Sequence, residues 1–344
     1  MKVNIRKLNK ILVNSCDEKK VFNATVKIAN ENDELIWRGE AGSAKELKTF
    51  AIASITKMFT AAVIFNLVEK KKMSLDDPIG KYVSADILKG IHIVKGKDYS
   101  GFITIKQLLC QTSGLADYYT EKSKDHNSFL KDVYEKDYEI TLQEILDRTR
   151  KLRPHFINGT QEKAYYSDLN FELLGELSKT VTGQSLTSLY SEYIIKPLEL
   201  KSTYLCTGND EIYTPIYWGK KKLDRPLVLS SQPASGGIIS DADDLIRFLK
   251  AFYRGNLFPR KYITDNNWHR IQWFPLEYSM GMMRCKMSRV MSPFIPAPEI
   301  LGHSGSTGSF AFYCPSKKVY IAGTLNQVKK NPFQLIYRML NCLD

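Results

Sequence analysis

The sequence predicts an α/β (α+β) protein whose main lobe is built from both ends of the chain, with a mostly helical lobe inserted between them. Two observations carry this. Period-two apolar alternation, the mark of half-buried strands, sits near residues 21–37 and again beyond 279, while period-3.6 segments dominate the middle. In addition, 344 residues with 43% apolar and 25% charged side chains suffice for a large core and are ordinary for a globular chain. We read one domain over 1–344, with the α/β lobe from about 1–75 and 230–344 and the helical lobe from about 76–229.

The elements follow in order. Arg6 to Cys16 reads as a short amphipathic helix. From Val21 to Ala29, the side chains Phe22, Ala24, Val26 and Ile28 line one strand face, and the polar turn Asn30–Asp33 leads to a second strand at Leu35-Ile36-Trp37. An apolar helix containing Ser54 runs to Glu69 and ends in Lys70-Lys71-Lys72, a favourable charge at a C-terminus. Shorter helices are predicted over Thr104–Leu109, Thr141–Arg150, Asn170–Val181 and Leu186–Ile195. The third is closed by Thr182-Gly183, the last by Pro197. Ala234 to Ser240 is a Gly-rich strand, and Asp241–Tyr253 a helix capped by Ser240. Strands at Ser279–Met283, Phe310–Cys314 and Val319–Leu325 precede a closing helix from Pro332 to Leu343. Loops within residues 116–140 and 254–300 carry no readable code for the substrate.

Composition narrows the function. The 49 Lys and Arg against 37 Asp and Glu give a net charge of +12. The basic residues are scattered in short runs such as Lys220-Lys221-Lys222, without an Arg stripe or interleaved aromatics, so no nucleic-acid partner is expected. The six cysteines, Cys16, Cys110, Cys206, Cys285, Cys314 and Cys342, form no C-x-x-C and no zinc spacing, and read as free thiols of a reducing compartment. No metal or organic cofactor is expected. The apolar run Ile11-Leu12-Val13 is too short for a signal-peptide core, and no run approaches membrane-spanning length. As written, the chain reads as cytoplasmic; as part of a longer chain, it would suit the cell envelope.

Chemistry concentrates at Ser54-Ile55-Thr56-Lys57. Three residues apart on a helix, Ser54 and Lys57 share a face. A hydroxyl near the first turn sits at the positive end of the helix dipole and needs a base to become a nucleophile. Lys57 could be that base only when neutral, a form that burial in the apolar run Met58–Ile64 favours. Alone, S-x-x-K also occurs on ordinary surface helices, so the rest of the chain must decide.

Two later stretches do so: Tyr166-Ser167-Asp168, before Leu173-Leu174-Gly175, and His303-Ser304-Gly305, before Ser306 and a strand. In this order the three motifs resemble those of the penicillin-recognising serine hydrolases, nearest to the class C β-lactamase, D-Ala carboxypeptidase and esterase branch. Leu75–Pro78, Gln111–Leu115, Val181–Gln184, Pro197-Leu198 and Gly236–Ser240 also fall where that family has them, so the resemblance spans most of residues 22–330. It implies a β-lactamase/transpeptidase-like fold, an antiparallel sheet flanked by helices with an inserted helical region. It also implies an acyl-enzyme on Ser54, with Lys57 taking or relaying its proton. Tyr166 would shuttle the proton to the leaving group as phenol or phenolate, its pKa lowered by nearby cations. His303 would orient substrate and tune Tyr166, the Ser54 and Ser306 N–H groups would form an oxyanion hole, and Ser304 and Gly305 would line the substrate strand, Gly305 leaving it space. The substrate implied is a small ester, amide or D-amino-acid peptide, with β-lactams included.

Departures from the family pattern matter. Asp168 stands where the lactamases have Asn, which removes amide donors to a substrate carbonyl and leans toward an esterase or peptidase. Taken alone, Asp168 could simply cap the helix beginning near Asn170. Gln111 replaces the usual His, without evident consequence. Tyr165 rivals Tyr166, which the spacing to Leu173-Leu174-Gly175 favours. Gly302–Ser306 nearly matches a G-x-S-x-G elbow, but the last Gly is missing and no His follows His303. Two other functions compete with an enzyme: a non-catalytic ligand or peptidoglycan sensor that keeps the fold, and a binder of nucleic acid or anionic polymers suggested by the charge.

Overall fold

The computed structural model describes residues 2–17, 19–42, 49–160, 162–210, 214–264, 266–287, 296–328 and 330–343. Its main sheet has eight antiparallel strands: β1 (Asn23–Asn30), β2 (Leu35–Gly42), β3 (His269–Arg270), β4 (Leu276–Ser279), β5 (Met282–Cys285), β6 (Ile300–Ser304), β7 (Ser309–Cys314) and β8 (Val319–Thr324). They lie in the order β3-β4-β5-β6-β7-β8-β1-β2, so the two ends of the chain meet where β1 pairs with β8, Ile28 opposite Ile321. Of the expected apolar face, Ala24, Val26 and Ile28 are buried, whereas Phe22 precedes the strand and is half-buried, and Asn23 and Ala29 of the opposite face are buried too.

Five of the helices frame this sheet and the site: α1 (Ile5–Ser15), α2 (Thr56–Glu69), α3 (Leu169–Thr182), α4 (Ala242–Arg254) and α5 (Phe333–Leu340). Helix α2 is apolar on every side, which suits only a buried helix. Thr56 to Phe65 is buried throughout. Phe59 of α2 stacks on Phe248 of α4 at 3.8 Å. Helix α3 ends where the sequence says, with Gly183 left-handed at φ 69° as its C-terminal cap.

Four expectations need correction. Ser279–Met283 is a hairpin between β4 and β5, not one strand; Met280 and Gly281 turn it with φ of 48° and 81°. A Cβ on Gly281 would come 2.5 Å from the Ala61 Cβ, so the tip can pack on α2 only as glycine. Asp241, not Ser240, caps α4, its carboxylate accepting the Asp244 N–H at 2.7 Å. The predicted helix over 186–195 changes to π geometry from Ser191 to Ile195. Of the Gly-rich stretch, only Ile238–Ser240 is a strand; it joins Phe50–Ala51 and Tyr204–Leu205 in a small separate sheet. In the unreadable stretches, a helix forms over Phe129–Glu135. Residues 265 and 288–295 of the 254–300 stretch lie outside the described residues.

Candidate active site

Ser54 stands on a sharp strand-to-helix turn. The chain leaves the strand Phe50–Ala51, and Ala53 takes a left-handed φ of 46° before a short 3₁₀ turn feeds α2. Such a conformation costs a non-glycine residue about 1–3 kcal/mol and persists only where its surroundings enforce it. Here they do so from two sides. Ile52 N–H donates to Ile238 O at 3.0 Å. From the other side, Ser309 Oγ donates to Ile52 O at 2.8 Å, and Thr307 Oγ1 to Ala51 O at 2.7 Å. Gly305 makes this docking possible: a Cβ there would lie 2.5 Å from Ile52 O and 3.0 Å from the Ala53 Cβ. The glycine thus makes room for the Ser54 turn, a constraint the sequence reading did not include.

Lys57 is fully buried one turn on. Its Nζ lies 3.1 Å from Ser54 Oγ, 2.8 Å from Ser235 O and 2.5 Å from Asp168 Oδ1. The Nζ hydrogen-bonds Ser54 Oγ and Ser235 O, and the Asp168 carboxylate stands beside it at ion-pair distance. Lys57 and Asp168 thus meet as a buried salt bridge, a partner that the expectation of a neutral amine from burial alone did not include. Asp168 occupies the N-terminal cap position of α3 but makes no side-chain cap hydrogen bond; its carboxylate goes to Lys57 instead.

Tyr166 lies beside this pair, its ring centroid 5.1 Å from Lys57 Nζ and 5.0 Å from the Trp273 ring. Burial, then the Asp168 charge, pushes its phenol well above the usual tyrosine range, and the Ser54 hydroxyl offsets this only in part. That reverses the expected lowering: the Asp168 carboxylate intervenes, and Tyr166 rests as a neutral phenol. Tyr165 turns away and stacks on His155 at 3.4 Å.

His303 also departs from expectation. It is fully buried, with its Nδ1 2.8 Å from Ser304 O and its Nε2 3.3 Å from Tyr278 OH. A carbonyl only accepts, so Nδ1 carries the proton and Nε2 accepts from Tyr278. Burial, then the Lys57 charge, pushes the imidazole down to about 3. The ring underlies the site, 6.0 Å from the Tyr166 ring, and has no surface to offer a substrate.

Three residues without an assigned role in the sequence hold the constellation. Gln111 Oε1 accepts the Ser167 N–H at 2.9 Å and also bonds Asn170, fixing the Tyr166–Asp168 turn. Asp117 accepts the Asp168 N–H at 3.0 Å; burial, then the Asp168 charge, raises its carboxyl to about 7. Glu172 accepts the Ser235 N–H at 3.0 Å, and burial raises it likewise to about 7. Since Ser235 O holds Lys57, Glu172 orients the peptide that orients the lysine. Acids at 168 and 172, one turn apart among the apolar residues Leu169, Phe171, Leu173 and Leu174, were the available signal.

Ser54 opens into a cavity of about 500 Å³ that Tyr166, Asp168, Trp273, Ser304, Gly305 and Ser306 also line. A second, narrow pocket of about 50 Å³ meets it at Ser54, Asp168 and Ser306. Among the described residues, no cluster of three or more His, Cys, Asp or Glu is arranged to hold a metal ion. No helix among them is long and apolar enough to cross a membrane, and none of the six cysteines is in a disulfide.

Comparison with known proteins agrees with this arrangement. Protein flp of Staphylococcus aureus (strain MW2) is 32% identical over 160 residues, covering 45% of this chain and 27% of that protein. The chain thus spans 27% to 38% of the length of flp in different strains and 51% of the D-alanyl-D-alanine-carboxypeptidase/endopeptidase AmpH of Escherichia coli (strain K12). A D-stereospecific amidohydrolase from Streptomyces sp. superposes with a TM-score of 0.78 and 26% identity, covering 97% of each chain. The D-amino acid amidase of Ochrobactrum anthropi SV3 shares the fold at 19% identity, with a TM-score of 0.77 over 98% of this chain and 97% of that one. The beta-lactamase family profile matches residues 17–340. With its motifs, sheet order and near-full-length match in agreement, the chain belongs to the beta-lactamase family.

Proposed function

We propose that the protein is a serine hydrolase that works through an acyl-enzyme on Ser54 and cleaves a small ester, amide or D-amino-acid peptide. The observation that carries this is the buried Lys57 Nζ 3.1 Å from a Ser54 hydroxyl that opens into the main cavity. Likeness to a D-stereospecific amidohydrolase over nearly the whole chain supports it.

The steps follow from the charges at rest. A protonated Lys57 cannot accept a proton until it gives one up, and Asp168 Oδ1 at 2.5 Å is the acceptor. As Ser54 Oγ bonds to the carbonyl carbon, its proton passes to Nζ while an Nζ proton passes to Asp168. The ammonium is restored and the carboxylate becomes an acid. The carbonyl oxygen gains negative charge and faces the N–H groups of Ser54 and Ser306. The neutral Tyr166 phenol then protonates the departing oxygen or nitrogen as the carbon–leaving-group bond breaks, and Asp168 resupplies Tyr166. Water reverses these transfers in deacylation, releasing the acid and free Ser54.

Intact-mass measurement after incubation with a fluorescent penicillin and with p-nitrophenyl acetate tests this. A single adduct or a turnover burst on the wild type, with kcat/KM down about 10⁴-fold or more in Ser54→Ala, is expected. Equal turnover by wild type and Ser54→Ala, or no reaction with either probe, would overturn the reading in favour of a ligand-binding protein.

A further inference from the structure

Tyr166 sits in a stretch that forms neither helix nor strand, shortly before α3 begins at Leu169. Its main chain therefore has no ladder of its own, and its N–H and C=O need partners from elsewhere. The amides around it are anchored by Gln111 and Asp117. Tyr165 N–H donates to Gln111 O at 2.9 Å, Ser167 N–H to Gln111 Oε1 at 2.9 Å, and Asp168 N–H to Asp117 Oδ1 at 3.0 Å. Tyr166 is held differently. Gln272 Oε1 accepts its N–H at 2.8 Å, and Gln272 Nε2 donates to its C=O at 3.0 Å. One side-chain amide thus takes both main-chain groups of one residue, as a neighbouring strand would.

Gln272 comes from the turn between β3 and β4, at the outer edge of the main sheet. The turn is braced from within. Ile271 N–H donates to Leu276 O at 3.2 Å and Leu276 N–H to Trp273 O at 2.8 Å, and the side chains of Ile271 and Leu276 are buried. The same hairpin supplies two of the rings around the Tyr166 phenol, with centroids 5.0 Å away for Trp273 and 5.5 Å for Tyr278. Trp273, next in the chain to Gln272, lines the wide cavity together with Tyr166. Gln272 itself is exposed, so burial of its side chain does not account for its place in the structure. Its amide is spent on Tyr166.

We infer that Gln272 is a positioning residue, which fixes the Tyr166 main chain so that the phenol meets the leaving group. The inference rests on the serine-hydrolase reading, in which Tyr166 protonates the departing atom, and adds to that step a residue outside the three motifs. It also says which substrates feel the loss. A group that leaves as a stable anion needs little help from a proton, whereas a poor leaving group needs the proton as its bond breaks. A misplacement of about 1 Å can cost a positioned group roughly 10²-fold. Losing the clamp therefore slows esters of poor leaving groups and spares those of good ones.

The test measures kcat/KM for benzyl acetate and p-nitrophenyl acetate, which share the acyl group and differ in the leaving group. Gln272→Met keeps the length of the side chain and removes both hydrogen bonds. It should lower the benzyl acetate value by about 10–100-fold and the p-nitrophenyl acetate value by less than about threefold. Gln272→Glu, which keeps the accepting oxygen, should recover part of this selective loss. Tyr166→Phe should show the same selectivity at full size. A merely structural role would lower both esters alike, and their ratio within one variant is insensitive to the fraction that folds. A ratio unchanged in Gln272→Met, with Tyr166→Phe selective as expected, would overturn the positioning role alone. A ratio unchanged in Tyr166→Phe, turnover without Ser54 dependence, or none on either ester would overturn the hydrolase reading and this inference with it.

Discussion

Replacing Asp168 with Asn tests the charge state at the centre of the site. The side chain keeps its shape and loses its charge. In the wild type, Lys57 is fully buried and the Asp168 side chain is 10% exposed, with 2.5 Å between Nζ and Oδ1. At an effective dielectric of about 20, that separation corresponds to an attraction of about 7 kcal/mol, much of it offset by the cost of desolvating both ions. Removing one partner strands the other, for a net loss of about 3–5 kcal/mol. Unfolding entropy of roughly 2 cal/mol/K per residue over 344 residues converts this into a Tm drop of about 4–7 °C. Calorimetry at pH 7 on Asp168→Asn, Lys57→Met and the double variant measures it. If the pair is ionic, the double variant should be more stable than the two single losses predict, by about 2 kcal/mol or more. An amine facing a protonated carboxyl would hardly notice the asparagine. A Tm unchanged in Asp168→Asn, or single losses that add to within about 0.5 kcal/mol, would refute the charged resting state and the relay built on it.

Glu172, raised to about 7 from an ordinary 4.5, holds its proton in the folded state where the unfolded chain has released it. Its contribution to stability is complete below pH 4.5 and lost as pH rises through about 7, a loss of about 3 kcal/mol that urea titrations across pH 4–8 should resolve and that Glu172→Gln should remove. Gly305→Ala drives a methyl against Ile52 O; it should lower stability by about 1–3 kcal/mol and depress kcat further than Tm alone explains, because the displaced segment carries Ser54.

The legible parts of the molecule are those governed by local rules. Alternation at Ala24, Val26 and Ile28 gave the strand and its buried face, and Gly183 gave the end of α3. The spacing of Ser54 and Lys57 is a property of any helix and survives folding intact. Charge states did not survive, because they depend on contacts between distant segments. Burial of Lys57 can be read from its apolar neighbours, but the Asp168 carboxylate that pairs with it arrives from the start of another helix. Burial, and after it the same carboxylate, raises the Tyr166 phenol where lowering was expected. His303 sits at the expected place in the strand, yet which face of the sheet covers its ring is a tertiary fact. The narrow pocket was illegible for a further reason. Its walls come from three short elements with no periodic code, held together by Arg225 reaching the carbonyl oxygens of Val133 and Tyr134.

The clamp on the Ser54 turn also bears on when the site comes into being. Ala53 is held in its left-handed conformation by Ile238 from the middle of the chain and by Gly305, Thr307 and Ser309 near its end. Contacts of such long sequence separation form late, since the intervening loop must first be closed. A nascent chain that has emerged only as far as α4 has its S-x-x-K segment and lacks the surface that shapes it. Hydrolytic competence then arrives as one event, with the docking of the last strands, and the half-made protein passes through synthesis chemically silent.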